Sequence, residues 1–282
     1  MSLKSPLVSA IELAEHPEWR VFDCRHDLAN PDLGAQQFAA GHIPGAVHAH
    51  LDRVLSGPTN GRNGRHPLPD PDALCDWLGA QGVRNSDVIV ACDASGGAYA
   101  ARLWWLLRWL GHGNVVVLDG GLPAWEAGGG VLVTDVIART PERFERRAPL
   151  VDTVDTTDVH ANLERAHFLV IDARGAGRYA GEGETLDPRA GHVPGARNRP
   201  FTDNLNASGR FHPADRLRAD FERVTDGLPP GRVVAQCGSG VTACHNLLAM
   251  ELAGLPGARL YPGSWSEWCS DDTRPMATGP LP

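Results

Sequence analysis

Lysine is nearly absent: Lys4 is the only one, so arginine supplies the other 25 of the 26 basic residues. Against 34 acidic residues this leaves a net charge of −8, a poor match to nucleic acid or an anionic membrane surface. No apolar run approaches the about 20 residues needed to span a bilayer. The richest, Trp104 to Leu110, is interrupted by Arg108. The opening Met-Ser-Leu-Lys-Ser-Pro lacks the apolar stretch of a secretory signal. Six cysteines in 282 residues are too few for a disulfide-dense scaffold. None forms a C-x-x-C pair, which argues against a zinc knuckle or a thioredoxin-type redox motif. His48 and His50 lie two apart with no cysteine near them, so no metal cluster is expected. These absences point to a cytoplasmic protein with reduced thiols. The 42% apolar and 21% charged content is that of an ordinary globular chain, long enough for two domains.

The chain repeats itself. Gly41-His42-Ile43-Pro44-Gly45-Ala46 returns as Gly191-His192-Val193-Pro194-Gly195-Ala196, 150 residues later. Val21-Phe22-Asp23-Cys24-Arg25 precedes the first copy and Val170-Ile171-Asp172-Ala173-Arg174 the second. Val88–Asp93 and Val233–Cys237 follow in the same order, then Asp119–Trp125 and Tyr261–Trp268. Chance turns do not keep four landmarks in register, and the period is too long for a solenoid, so a duplicated domain is expected. The expected boundaries are a first domain at 1–135, a charged, turn-rich linker at 136–153 and a second domain at 154–282. Short apolar strands alternate with helical stretches at 71–81, 98–110 and 242–253. That alternation predicts an α/β fold in each copy, a mainly parallel sheet flanked by helices. Ligands in such sheets bind beyond the carboxyl ends of the strands.

Cys237-Gly238-Ser239-Gly240-Val241-Thr242 follows one buried strand directly and precedes a helix. The helix N-terminus and consecutive backbone N–H groups favour an anion there, so a thiol at Cys237 should ionise readily. Gly238 and Gly240 give the loop the freedom to turn Gly238, Ser239, Gly240 and Val241 around one point. Thr242 suits the helix cap. Cys24, Cys75 and Cys244 read as core cysteines. In the first copy Asp93 aligns with Cys237, and a carboxylate cannot carry sulfur. That site reads as inactive, with Cys92 beside it the one competitor.

With both Gly-His-Ile/Val-Pro-Gly-Ala motifs, the Asp at the first site and the six-residue cysteine loop, the chain resembles the tandem-domain sulfurtransferases, the rhodanese and 3-mercaptopyruvate sulfurtransferase family. The resemblance runs from about Pro6 to Trp268. It implies two rhodanese-like domains, an active cysteine in the second only, a persulfide intermediate and no cofactor. Uncharged Gly238 and Ser239 resemble the 3-mercaptopyruvate form rather than the thiosulfate form, whose loop often carries basic residues after the cysteine. The resemblance further implies that two arginines hold the donor carboxylate, and Arg178 and Arg189 are the matching positions. It also implies a relay of His42, with Asp32 upstream, to Ser239. The expected acceptor is a thiol such as thioredoxin, or cyanide.

Three rivals remain. One is a thiosulfate:cyanide sulfurtransferase. Another is a non-catalytic sulfur carrier or interaction module. The third, a phosphatase on the same fold, needs Arg six residues after the cysteine, where this chain has Ala243.

Overall fold

The computed structural model describes residues 5–282, which divide into two compact units. Unit 1 takes the chain as far as Gly57, with Leu68–Leu150 and Ala207–Phe211; unit 2 takes Pro58–Pro67, Val151–Asn206 and His212–Pro282.

Unit 1 contains, in chain order, β1 (Leu7–Val8), α1 (Ala10–Glu15), β2 (Arg20–Asp23), α2 (Leu33–Ala40), β3 (Val47–His48), α3 (Pro71–Ala80), β4 (Ile89–Cys92), α4 (Ala100–Trp109), β5 (Val115–Leu118) and α5 (Gly121–Ala127). Its sheet is wholly parallel in the order β1-β5-β4-β2-β3. β4 and β5 read Ile-Val-Ala-Cys and Val-Val-Val-Leu and are buried throughout. Such unbroken apolar strands suit a sheet covered on both faces by helices. The helices start where chemistry favours it. Asp70 caps α3 by accepting from the Asp72 and Ala73 amides, and Pro71 takes the first helical position, where no N–H is needed.

Unit 2 repeats the plan with α6 (Thr156–Arg165), β6 (Leu169–Asp172), α7 (Ala176–Ala180), β7 (Arg197–Asn198), α8 (Ala214–Thr225), β8 (Val233–Gln236), α9 (Thr242–Leu252), β9 (Arg259–Leu260) and α10 (Ser264–Trp268). The parallel order is β7-β6-β8-β9, with a bridge from Thr153 to Leu260 where unit 1 has β1. A reciprocal capping box between Asp155 and Asp158 starts α6.

Both copies are stapled alike. Arg25 donates to the buried Asp23 carboxylate and to the Gly41 carbonyl at 2.7 Å; Arg174 does the same to Asp172 and to Gly191 at 2.8 Å. Each Asp-x-Arg therefore ties a strand end to the Gly-His-x-Pro turn. Residues 134–150 form neither helix nor strand. They follow α3 and α4, with Glu142 donating to the Gly79 carbonyl and Arg147 to that of Leu110. Among the described residues, no helix is long and apolar enough to cross a membrane.

Candidate active site

β8 is the strand that builds the site. Flanked by β6 and β9 and buried throughout, it delivers Cys237 at its carboxyl end, one turn before α9. The loop is clamped from below by the segment entering α10. Ser264 Oγ accepts the Cys237 amide at 3.1 Å, Trp265 N–H donates to the Cys237 carbonyl at 3.0 Å, and Ser266 N–H to that of Gly238 at 2.9 Å. So held, the backbone curls around the sulfur. The Ser239 and Gly240 amides point at Cys237 Sγ from 3.4 and 3.1 Å.

Of the two loop glycines, Gly240 is sterically required. Gly240 has φ +78°, and a Cβ there would sit 2.3 Å from the Pro262 carbonyl oxygen. A Cβ on Gly238 would lie 2.8 Å from an Arg65 nitrogen and 3.5 Å from both terminal nitrogens of Arg178. Two guanidinium groups therefore crowd the same loop residue.

Those guanidiniums are held by buried acids. Arg178 donates to Glu184 at 2.9–3.1 Å and to Asp187 at 3.1 Å. Arg65 pairs with the other oxygen of Asp187, which is 1% exposed. Burial pulls the Arg65 guanidinium below its usual value, while the Cys237 charge pulls the other way and Arg178 adds to the lowering. Behind them the Asp172–Arg174 pair is nearly sealed from solvent, with Arg174 lying 4.8 Å over the Trp265 ring. Next to the sulfur, His66 Nδ1 and Ser239 Oγ lie 2.7 Å apart, both residues 6% exposed.

The expected site residues divide into those brought together and those not. Cys237, Gly238, Ser239, Gly240, Val241 and Arg178 converge on the loop. Thr242 is the first residue of α9; the cap position falls on Val241, and no side chain caps the helix. The N-terminal amides are thus left to the loop.

His42 is a correction. It is completely buried in unit 1, with Nδ1 2.8 Å from the Phe38 carbonyl and its ring stacked on Phe38 at 3.9 Å. Its duplicate His192 does the same with Tyr179, at 2.8 and 3.8 Å. One residue type in one environment twice over marks a structural role, and the histidine at Ser239 is His66. Asp32 is likewise a correction: it is exposed and paired with Arg53 at 2.7 Å. Arg189 is the third. Its guanidinium donates to the Asp271 carbonyl at 3.0 Å, with the Asp272 carboxylate at 3.7 Å, so Arg65 stands where the second arginine was expected.

Sequence reasoning missed Arg65 and His66. The available signal was length. Between β3 and α3, residues 49–70 contain no helix or strand, and loops that long in a compact fold are commonly functional.

The equivalent loop of unit 1 is self-filled. Asp93 accepts the Ser95, Gly97, Tyr99 and Ala100 amides at 2.8–2.9 Å, so its carboxylate occupies the cradle as a built-in anion. Cys92 is wholly buried in β4, and burial pushes its thiol well above the usual range.

The Rhodanese-like domain model matches residues 8–128 and 155–271. The chain is 46% identical to a Pseudomonas aeruginosa protein named "Probable 3-mercaptopyruvate sulfurtransferase", over 97% of this chain and 98% of that one. It is 37% identical to the 3-mercaptopyruvate sulfurtransferase of Homo sapiens, covering 84% of this chain and 81% of the human one. Among solved structures it resembles SseA from Escherichia coli, one of the 3-mercaptopyruvate sulfotransferases with the rhodanese fold. There the TM-score is 0.81 and the identity 32%, over 94% of this chain and all of SseA.

Proposed function

The chain belongs to the rhodanese-like sulfurtransferases, and from that premise we propose that it moves sulfur from 3-mercaptopyruvate through a Cys237 persulfide to a thiol or cyanide, releasing pyruvate. One observation carries the reading: a strand-end cysteine in an amide cradle, flanked by two arginines and a His–Ser pair.

Each part has a task. Arg65 and Arg178 offer planar, bidentate donors to the donor's carboxylate. The Cys237 thiolate attacks the donor sulfur. The Cys–S bond forms, the donor's C–S bond breaks, and the electron pair leaves on carbon as the enolate of pyruvate. That enolate takes one proton to become pyruvate, and His66 with Ser239 is the pair suited to manage it. The loop amides and the start of α9 then stabilise the terminal S⁻ of the persulfide. In the second half-reaction an acceptor thiolate or cyanide attacks the outer sulfur, and Cys237 leaves as thiolate. Two substitutions at sulfur predict ping-pong kinetics.

Unit 1 cannot run this cycle, because Asp93 fills its cradle and Cys92 is a buried, protonated thiol. Thiosulfate is the second donor to consider, and a curated relative of Arabidopsis thaliana is named for both donors. The charge balance favours 3-mercaptopyruvate. Asp187 and Glu184 already offset Arg65 and Arg178, and a dianion meets less uncompensated positive charge than the arginine count suggests.

Mass spectrometry after exposure to each donor tests the reading. A gain of one sulfur atom on Cys237 with 3-mercaptopyruvate, lost in Cys237→Ser, is expected. Adduct formation and turnover with thiosulfate alone would overturn the donor assignment, and sulfur transfer surviving Cys237→Ser would overturn the site.

A further inference from the structure

We propose that His26, His50 and Asp52 of unit 1 form a binding site for a divalent transition-metal cation of the zinc class. The three are brought together only by the fold. One ring nitrogen of each histidine and one Asp52 oxygen lie within 4.8 Å of one another. Tetrahedral zinc with bonds of about 2.0–2.1 Å sets its ligands roughly 3.4 Å apart. Closing the widest gap therefore takes up to about 1.4 Å of side-chain movement, and Asp52 lies at the exposed side of the cluster.

The place in the fold is one where ligands bind. His26 lies three residues beyond the end of β2 and His50 two beyond β3, at the carboxyl edge of adjacent parallel strands. The rings are preset: His26 and His50 meet edge to face at 5.6 Å, and Tyr99 packs on His26 at 5.4 Å. His50 is 6% exposed, and its Nε2 is buried with no hydrogen-bond partner among the described residues. A buried polar atom of this kind calls for a partner, and a metal ion at the cluster would supply one. His50 Nδ1 accepts the Asp52 amide at 3.1 Å. Coordination through Nε2 places the ring proton on Nδ1 and exchanges that amide bond for a metal bond.

The donor set selects the cation. Two imidazoles and one carboxylate suit zinc-class ions; magnesium and calcium prefer all-oxygen sites, and copper(I) prefers sulfur. Three protein ligands leave a fourth position for water. The sequence reading expected no such cluster, because 24 residues separate His26 from His50 and only the strand ends bring them together.

The test uses untagged full-length protein carrying Cys237→Ser, which removes the competing thiolate. Zinc titrated by calorimetry should bind one equivalent, and cobalt should give a tetrahedral visible spectrum with no thiolate charge-transfer band. His50→Gln and Asp52→Asn should each weaken binding at least about tenfold. Asp52 is exposed, so its variant reports even if His50→Gln fails to fold. Absence of saturable zinc binding, a thiolate band with cobalt, or an affinity unmoved by Asp52→Asn would each overturn the proposal.

Discussion

Replacing Arg65 with methionine separates the structure's assignment of the donor site from the one the sequence suggested. The side chain is 27% exposed, lies against Gly238 and shares the buried Asp187 with Arg178. A hydrogen bond to a charged group contributes about 1.5–3 kcal/mol, and a fully desolvated one sits at the top of that range. Partial exposure places this pair below the top, so about 2 kcal/mol is the working value, roughly 30-fold in kcat/KM. The loss should fall on the 3-mercaptopyruvate half-reaction, because the carboxylate leaves with pyruvate before the acceptor arrives. Steady-state kinetics with varied donor, and stopped-flow transfer from preformed persulfide to cyanide, measure the two halves separately. Arg189→Met is the control and should leave the donor kinetics within about twofold, because its guanidinium is bonded to the Asp271 carbonyl. If Arg65→Met leaves kcat/KM for 3-mercaptopyruvate unchanged while Arg189→Met lowers it, the carboxylate site has been placed wrongly.

Other outcomes follow from the same geometry. His66→Gln should lower kcat on 3-mercaptopyruvate by about 10²–10⁴-fold, the usual range for positioned proton transfer. Thiosulfate turnover, which leaves no enolate to protonate, should fall far less; equal losses on both donors would refute the proton role. His42→Asn should instead lower the urea midpoint with little change in kcat per folded molecule, as its ring is spent on Phe38. Gly240→Ala forces a Cβ to 2.3 Å from a backbone oxygen at φ +78°, so chemical denaturation should show a loss of more than about 1 kcal/mol. Burial first, then neighbouring carboxylates, raise the thiols of Cys24 and Cys92 well above their usual 9.0. A raised folded pKa gives stability that is complete below about pH 9 and fades as pH climbs toward the folded value. The urea midpoint should therefore fall above that pH, and a Cys24→Ala/Cys92→Ala variant should show a shallower fall.

Much of the fold is legible because it depends on local pattern. β4 and β5 are unbroken apolar runs and β8 is apolar as far as Gln236, and β4 and β8 fall within the recurring segments at 88–93 and 233–237. α9 begins at Thr242 because a strand, a glycine loop and an apolar helical stretch follow one another directly. The duplication is legible because its landmarks recur in order. Cys237 is legible for the same local reason, since the strand, loop and helix that position it are contiguous.

What surrounds the sulfur is different. His42 lies in the duplicated Gly-His-x-Pro turn and His66 just before Pro67, and neither local sequence shows which of them reaches Ser239. The Gly-His-x-Pro turn returns its histidine to the Phe38 or Tyr179 carbonyl, whereas the irregular loop before α3 carries Arg65 and His66 to Ser239. The same holds for Arg189 and Arg65, which differ only in which carbonyl or carboxylate the folded chain sets within reach. The sequence by itself determined the two α/β copies, the strand-end cysteine loop at Cys237 and the carboxylate of Asp93 at the matching place in the first copy, because those follow from short-range patterns of burial, glycine and charge. Only the tertiary structure decided that Arg65 joins Arg178 beside the Cys237 loop and that His66 meets Ser239. Arg65 reaches Asp187 across 122 residues of chain and His66 reaches Ser239 across 173, and no local spacing encodes such contacts.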